Sequence, residues 1–328
     1  MKHLYVTLFI VLFTSLVVAQ KKERRYSDYT FDSGVAYRYE RPKVFGFLLK
    51  VPKTIGKAAV QPFKKENLWK TGTMIGGTAL LVAVDQPILD GAQQFGRYIG
   101  MGTDRGTKAL LEFEIFGQSA PIEVPTSFSS GVYYIGEGWP TIFTTLGFYT
   151  TGLIKKDDRA LQTASQLTQT MIGVGVLAQF FKRTTGRESP FVASQPGGVW
   201  KPFPHPKDYA ASVPRHDAFP SGHMATLAGT FTVIILNYPD TKILKPIAIG
   251  TMTLVGYQMM NNGVHWLSDY PLAIAIGYGL GKIAVNQGRK EIVTDKLSHL
   301  RKKKGSWKLA PDYSPFGAGM LSLTYKFL

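Results

Sequence analysis

From about Thr71 onward the apolar residues arrive in long blocks rather than in alternation. Six stretches rich in Gly, Ala and Thr lie at roughly 73–88, 130–154, 163–181, 222–238, 246–262 and 270–286. They run past the ~4–8 residues at which strands usually stop, so they predict helices. Turn residues such as Asn237-Tyr238-Pro239-Asp240 separate them. The fold class that follows is all-α, a bundle of about six core helices. Ahead of it, residues 20–70 are basic, alternate Tyr and Phe between Tyr26 and Tyr39, and carry Pro42, Pro52 and Pro62 as breakers. They predict an extended N-terminal arm with a strand or an amphipathic turn. At the other end, Leu321, Leu323, Tyr325 and Phe327 alternate with more polar neighbours, a period-2 signal for a candidate C-terminal β-strand. That strand is expected to pair with the N-terminal arm. The chain thus divides into 1–19, the arm 20–70, a helical core 71–290, and a basic tail with its strand, 291–328.

The first segment has its own pattern. Met1-Lys2-His3 is a short basic start, Leu4 to Ala19 is uncharged and apolar, and Gln20-Lys21-Lys22 follows at once. This order reads as a secretory signal cleaved near Ala19, with an uncleaved membrane anchor as the alternative. Either reading sends the chain out of the cytoplasm, to the periplasm and its membranes. Most of the six later stretches have uninterrupted apolar cores of only about 12–16 residues, and charged groups such as Asp85 and Glu137 intrude. That is below the ~18 residues of a secure spanning helix, which favours a mostly non-spanning, membrane-associated core, with an integral membrane protein as the alternative.

Composition narrows the classes. The 328 residues include 38 Lys+Arg against 22 Asp+Glu, a formal charge of +16, with 45% hydrophobic and 18% charged residues. A chain this apolar is not disordered. It has no cysteine, which excludes disulfide scaffolds, thiolate metal sites and a cysteine nucleophile. The histidines lack ligand spacing, so no metal site and no cofactor is expected. No nucleic-acid-reading motif accompanies the charge, and attraction to anionic lipid or lipopolysaccharide accounts for it better. Gly277-Tyr278-Gly279-Leu280-Gly281-Lys282 lies inside an apolar stretch without P-loop spacing, so its small residues read as helix packing.

The chemistry concentrates in three places. Pro220-Ser221-Gly222-His223 opens an apolar stretch with helix-start residues, and Gly222 lets the backbone approach a ligand where free N–H groups favour an anion. His265 and Asp269 stand four apart, on one face of a helical turn. A carboxylate on one ring nitrogen fixes the tautomer and frees the other nitrogen as nucleophile or base. Lys182-Arg183-Thr184-Thr185-Gly186-Arg187 is a basic cluster that can meet a phosphate's charge.

In order and spacing these three motifs resemble the type 2 phosphatidic acid phosphatase superfamily, which includes bacterial acid phosphatases and vanadium haloperoxidases. The resemblance covers about residues 71–290, and the Pro-Ser-Gly-His motif is matched in full. It implies that His265 attacks phosphorus to form a phosphohistidine, oriented by Asp269. It further implies that His223 protonates the leaving group and then activates water, while Lys182, Ser221 and the Gly222 amide hold the phosphoryl oxygens. Two positions depart from the family pattern: its first-motif arginine is Ser189 here, and its third-motif Ser-Arg pair is Gln258-Met259. Both clamp arginines are therefore missing. Arg187 is the nearest substitute for phosphate binding, with Arg215 and His216 as further candidates. The function implied is an exported phosphatase acting on a lipid phosphate or similar monoester. The alternative is a silent relative that binds membrane lipid or envelope components. A vanadate-dependent peroxidase is the least favoured, because vanadate needs the arginine clamp even more.

Overall fold

The computed structural model describes residues 26–292, apart from 113, 116, 117 and 120, together with the backbone of 306–313 and 319–326. The expected signal at 1–19 and the basic run at 301–304 lie outside the described residues. The fold is helical, with small antiparallel sheets at its margins.

Each predicted apolar stretch is helical. We label the helices α1 (Gly46–Val60), α2 (Leu68–Tyr98), α3 (Phe128–Tyr134), α4 (Gly138–Ile154), α5 (Asp158–Thr185), α6 (Pro206–Ala211), α7 (Gly222–Asn237), α8 (Leu244–Asn261) and α9 (Tyr270–Gly288). The 130–154 stretch is broken in two at Ile135–Glu137. A Cβ on Gly136 would fall 2.9 Å from that of His223, so the break lets bare backbone pass against the α7 start. Central helix α5 packs against α1, α4, α7 and α9. The Asp157 carboxylate caps it by accepting from the Arg159 and Ala160 N–H groups, and Gly186 ends it in the left-handed conformation, φ 59°.

The core is formed by Val132, Val174, Met224, Leu227, Val255, Met259, Ile276 and Leu280, from α3, α5, α7, α8 and α9. Helices α7 and α9 cross so closely that a Cβ on Gly277 would lie 2.1 Å from the Ala225 carbonyl oxygen. The glycine run at 277–281 is a packing seam.

Residues 20–70 do more than extend. Strands β1 (Tyr26–Thr30) and β2 (Ala36–Glu40) form a hairpin, and α1 follows, although Pro52 lies inside it. Val51, Thr54, Ile55 and Ala58 share the helix face turned to α5 and α9, and that packing outweighs the local breaker. The Gln162 amide on α5 donates to the Glu40 carbonyl at 2.6 Å, which ties the hairpin to the core.

The strand pairing corrects one expectation. Strand β7 (Arg289–Ile292), leaving α9, adds to β2 in the order β1-β2-β7. The terminal strand β9 (Gly319–Lys326) pairs instead with β8 (Ser306–Tyr313). Pairing across a short connection costs less chain entropy than reaching back to the arm. Two short hairpins, β3 (Thr107–Leu111) with β6 (Ile122–Pro125) and β4 (Glu114–Ile115) with β5 (Gln118–Ser119), join α2 to α3. Among the described residues, Lys65–Tyr98 is the one helix long and apolar enough, by length and composition, to cross a membrane.

Candidate active site

The site is built where α5 ends, α7 begins and α9 begins. Ser221 is the N-cap of α7, its Oγ accepting the Met224 N–H at 3.3 Å. Backbone N–H groups of this first turn are available to an anion. From the last turn of α5, Lys182 reaches the same place: its Nζ would be 4.0 Å from a Cβ on Gly222. The Ser221 N–H donates to the Asp269 carbonyl at 3.1 Å, fastening the second motif to the third.

His265 and Asp269 meet on a 3-10 turn, Leu267–Asp269, immediately before α9. Their Nδ1···Oδ2 distance is 3.2 Å, and the same oxygen accepts the Trp266 N–H at 2.8 Å. Across from it stands His223, with ring centres 6.1 Å apart. The Tyr133 ring lies 4.5 Å from that of His223. His223 Nε2 is buried with no hydrogen-bond partner among the described residues. Burial, reinforced by His265 and Lys182, pushes this imidazole down to about 3. It is therefore neutral at physiological pH and able to accept a proton.

Lys182, Ser221, Gly222, His223, His265 and Asp269 thus converge. Arg187 does not join them at the phosphate position. Its guanidinium turns into the protein, bonded to Asp85 at 2.7 Å and Asp269 at 2.6 Å, between the rings of Trp200 and Trp266. Arg215 lies 3.8 Å from Glu188 Oε1, and the His216 ring stacks on Tyr209. At the two altered positions, buried Ser189 donates its N–H to the Pro214 carbonyl, and Met259 sulfur accepts the Ser221 hydroxyl at 3.6 Å.

Three residues escaped sequence reasoning. Asp217 Oδ2 sits 3.2 Å from Lys182 Nζ, offsetting the charge of that ammonium. Asp85, noticed only as a charge interrupting an apolar stretch, is wholly buried against Arg187. Exposed Arg105 stacks over Phe191 at 4.2 Å. Phe191 in turn packs against Gly263, two residues before His265. Only Asp85 had a usable signal, a lone carboxylate within an apolar helix.

The model of the PAP2 superfamily matches residues 163–292, from α5 through β7, which hold all three motifs. No curated protein matches the chain. Two solved structures resemble it distantly. One is the transmembrane PAP2 type phosphatidylglycerolphosphate phosphatase from Bacillus subtilis, at 16% identity and a TM-score of 0.37, covering 65% of this chain and 92% of that one. The other is LpxE of Aquifex aeolicus, at 20% identity and a TM-score of 0.33, covering 48% of this chain and 83% of that one. Asp85 and Arg105 lie outside the PAP2 match, whereas Asp217 lies within it.

Proposed function

We propose that the protein is an exported, membrane-associated phosphatase that hydrolyses a lipid phosphate or similar phosphomonoester, without a cofactor, through a phosphohistidine on His265. One observation carries the reading: two imidazoles face each other at 6.1 Å, one held by Asp269 and the other with its buried Nε2 unpartnered, beside Lys182 and the open first turn of α7. In the first step His265 Nε2 attacks phosphorus. The bond from phosphorus to the leaving oxygen breaks, and that oxygen takes a proton from His223, one that neutral His223 has first accepted from the phosphomonoester monoanion on binding. In the second step neutral His223 takes a proton from water as the water oxygen attacks phosphorus, the P–N bond breaks and inorganic phosphate departs. The Gly222 amide, the Ser221 hydroxyl and Lys182 hold the non-bridging oxygens as charge develops on them.

Membrane association draws on the surface over residues 43–70, which holds seven lysines and one acidic residue, Glu66. Among these lysines stand exposed Leu49, Phe63 and Trp69, at 85%, 77% and 68% of full exposure. Apolar side chains beside lysines suit the face of an anionic bilayer, the source of a lipid phosphate substrate.

The test is inorganic phosphate release by purified wild type and His265→Ala, with EDTA present, from phosphatidate, polyprenyl phosphate, lipid A and an aryl phosphate. Turnover by wild type that falls by a factor on the order of 10³ or more in the variant supports the mechanism. Turnover that survives His265→Ala overturns it. The second reading, a silent lipid-binding relative, is favoured by Met259, Ser189 and the Asp217 carboxylate on Lys182. Each lost arginine withholds roughly 2–4 kcal/mol of transition-state stabilisation. Folded wild type that binds these lipids and releases no phosphate decides for that reading.

A further inference from the structure

Both oxygens of the Asp269 carboxylate are spoken for. Oδ2 takes the His265 ring and the Trp266 N–H, and Oδ1 takes Arg187 Nη1 at 2.6 Å. Arg187 extends the chain of contacts. Nη1 also donates to Ser268 Oγ at 2.6 Å, and Nη2 donates to Asp85 Oδ2 at 2.7 Å and the Gly197 carbonyl at 3.0 Å. Ser268 closes the ring, its N–H donating to Asp85 Oδ1 at 3.0 Å and its hydroxyl to Asp85 Oδ2. Asp85, Arg187, Ser268 and Asp269 are all buried.

The charge count explains why two carboxylates are present. A guanidinium bonded to Asp269 alone would cancel much of the negative charge that the imidazole needs opposite it. Asp85 offsets the guanidinium, so two carboxylates and one cation leave a net negative charge behind His265, where water does not screen it. The short, two-sided contacts also fix the plane of the Asp269 carboxylate, and with it the ring that must point its free nitrogen at phosphorus. Asp85 comes from α2, outside the stretch that matches the PAP2 model.

We propose that Asp85 and Arg187 are positioning residues for His265: through Asp269 they hold its proton on Nδ1 and present Nε2 as the nucleophile. The kinetic part rests on the phosphohistidine reading; the tautomer part does not. The test uses the full-length protein and Asp85→Asn, which keeps the shape of the side chain and removes its charge. Two quantities are read: the low-field Nδ1–H proton resonance of His265, assigned with His265→Gln, and the split of kcat from KM for phosphate release. In Asp85→Asn the resonance is expected to shift upfield or broaden away, kcat to fall about 10- to 100-fold, and KM to stay within about 3-fold. Asp85→Glu is expected to recover part of both. A folded Asp85→Asn with wild-type resonance and kcat overturns the proposal. If Asp85→Asn does not fold, Arg187→Lys decides instead, because it keeps the cation and breaks the two-sided bridge from Asp85 to Asp269: an unmoved resonance overturns the proposal and a shifted one supports it. If wild type releases no phosphate, the phosphatase reading fails while the resonance still decides the tautomer.

Discussion

His223 shows how far a single residue's environment reaches into measurable behaviour. Its imidazole is pushed from 6.5 to about 3, first by burial and then by His265 and Lys182. The folded value lies below the unfolded one, so between pH ~6.5 and ~3 the unfolded chain binds more protons. Stability from this group is complete above pH ~6.5 and lost as pH falls towards 3. Thermal melts of wild type and His223→Gln from pH 7 to 4 are expected to show a steeper fall in Tm for wild type. Parallel curves would remove the assignment. A second prediction concerns Asp217, whose carboxylate pairs with Lys182 and would compete with the proposed phosphate for it. Asp217→Asn is expected to tighten inorganic phosphate binding by about 1 kcal/mol, roughly 5-fold by calorimetry. Spacing in the sequence made Lys182, Ser221, His223, His265 and Asp269 legible, because each motif is local. The direction of Arg187 was not legible. After the left-handed Gly186, backbone bridges to Trp200 and Asp217 turn that side chain inward, and the Asp85 that receives it lies 102 positions away in the chain.

Among the elements, the α7–α9 seam governs both packing and site. The two helices touch through Gly229, Gly277 and Gly281, and their N-terminal ends are pinned by the Ser221 N–H to Asp269 carbonyl bond. Gly277→Ala would push a methyl group into the Ala225 carbonyl, forcing the helices apart at a cost of about 1–3 kcal/mol. Denaturant melts are expected to show that loss, and phosphate release to fall with it because the pinned ends separate. Gly279→Ala, whose Cβ meets nothing within 4 Å, serves as the control and is expected to leave both unchanged. Long apolar runs announced the six main helices. Helix α1 was hidden by Pro52, because only its contact with α5 and α9 outweighs that breaker. The partner of β9 was unreadable for a related reason: alternation marks a strand but does not choose its neighbour.

At the scale of the whole molecule, the proposed membrane face combines the +16 charge with the exposed apolar side chains over 43–70. Co-sedimentation with vesicles containing phosphatidylglycerol is expected to exceed that with phosphatidylcholine alone, and to weaken as salt shortens the screening length. Replacing Lys53, Lys57, Lys64 and Lys65 by Glu is expected to abolish the preference. Equal binding to both vesicles would leave apolar contact alone to explain attachment. Composition already pointed to this surface; its location became visible only once α1 and the start of α2 had been placed.

The three-stranded sheet has one more consequence. Strand β7 runs beside β2, with Ile292 opposite Ala36, so the beginning and end of the helical core are neighbours. They meet near the start of α5, where Tyr29 and Ser27 donate to Asp157 and Asp158. Lys182 lies 24 residues further along the same helix, about 36 Å away at 1.5 Å per residue. The gene could therefore be rewired as a circular permutant, with a linker that crosses β2 and runs the length of β1 to join 292 to 26 and new ends opened at the exposed Pro239–Thr241 turn, and Lys182, His223 and His265 would keep their places.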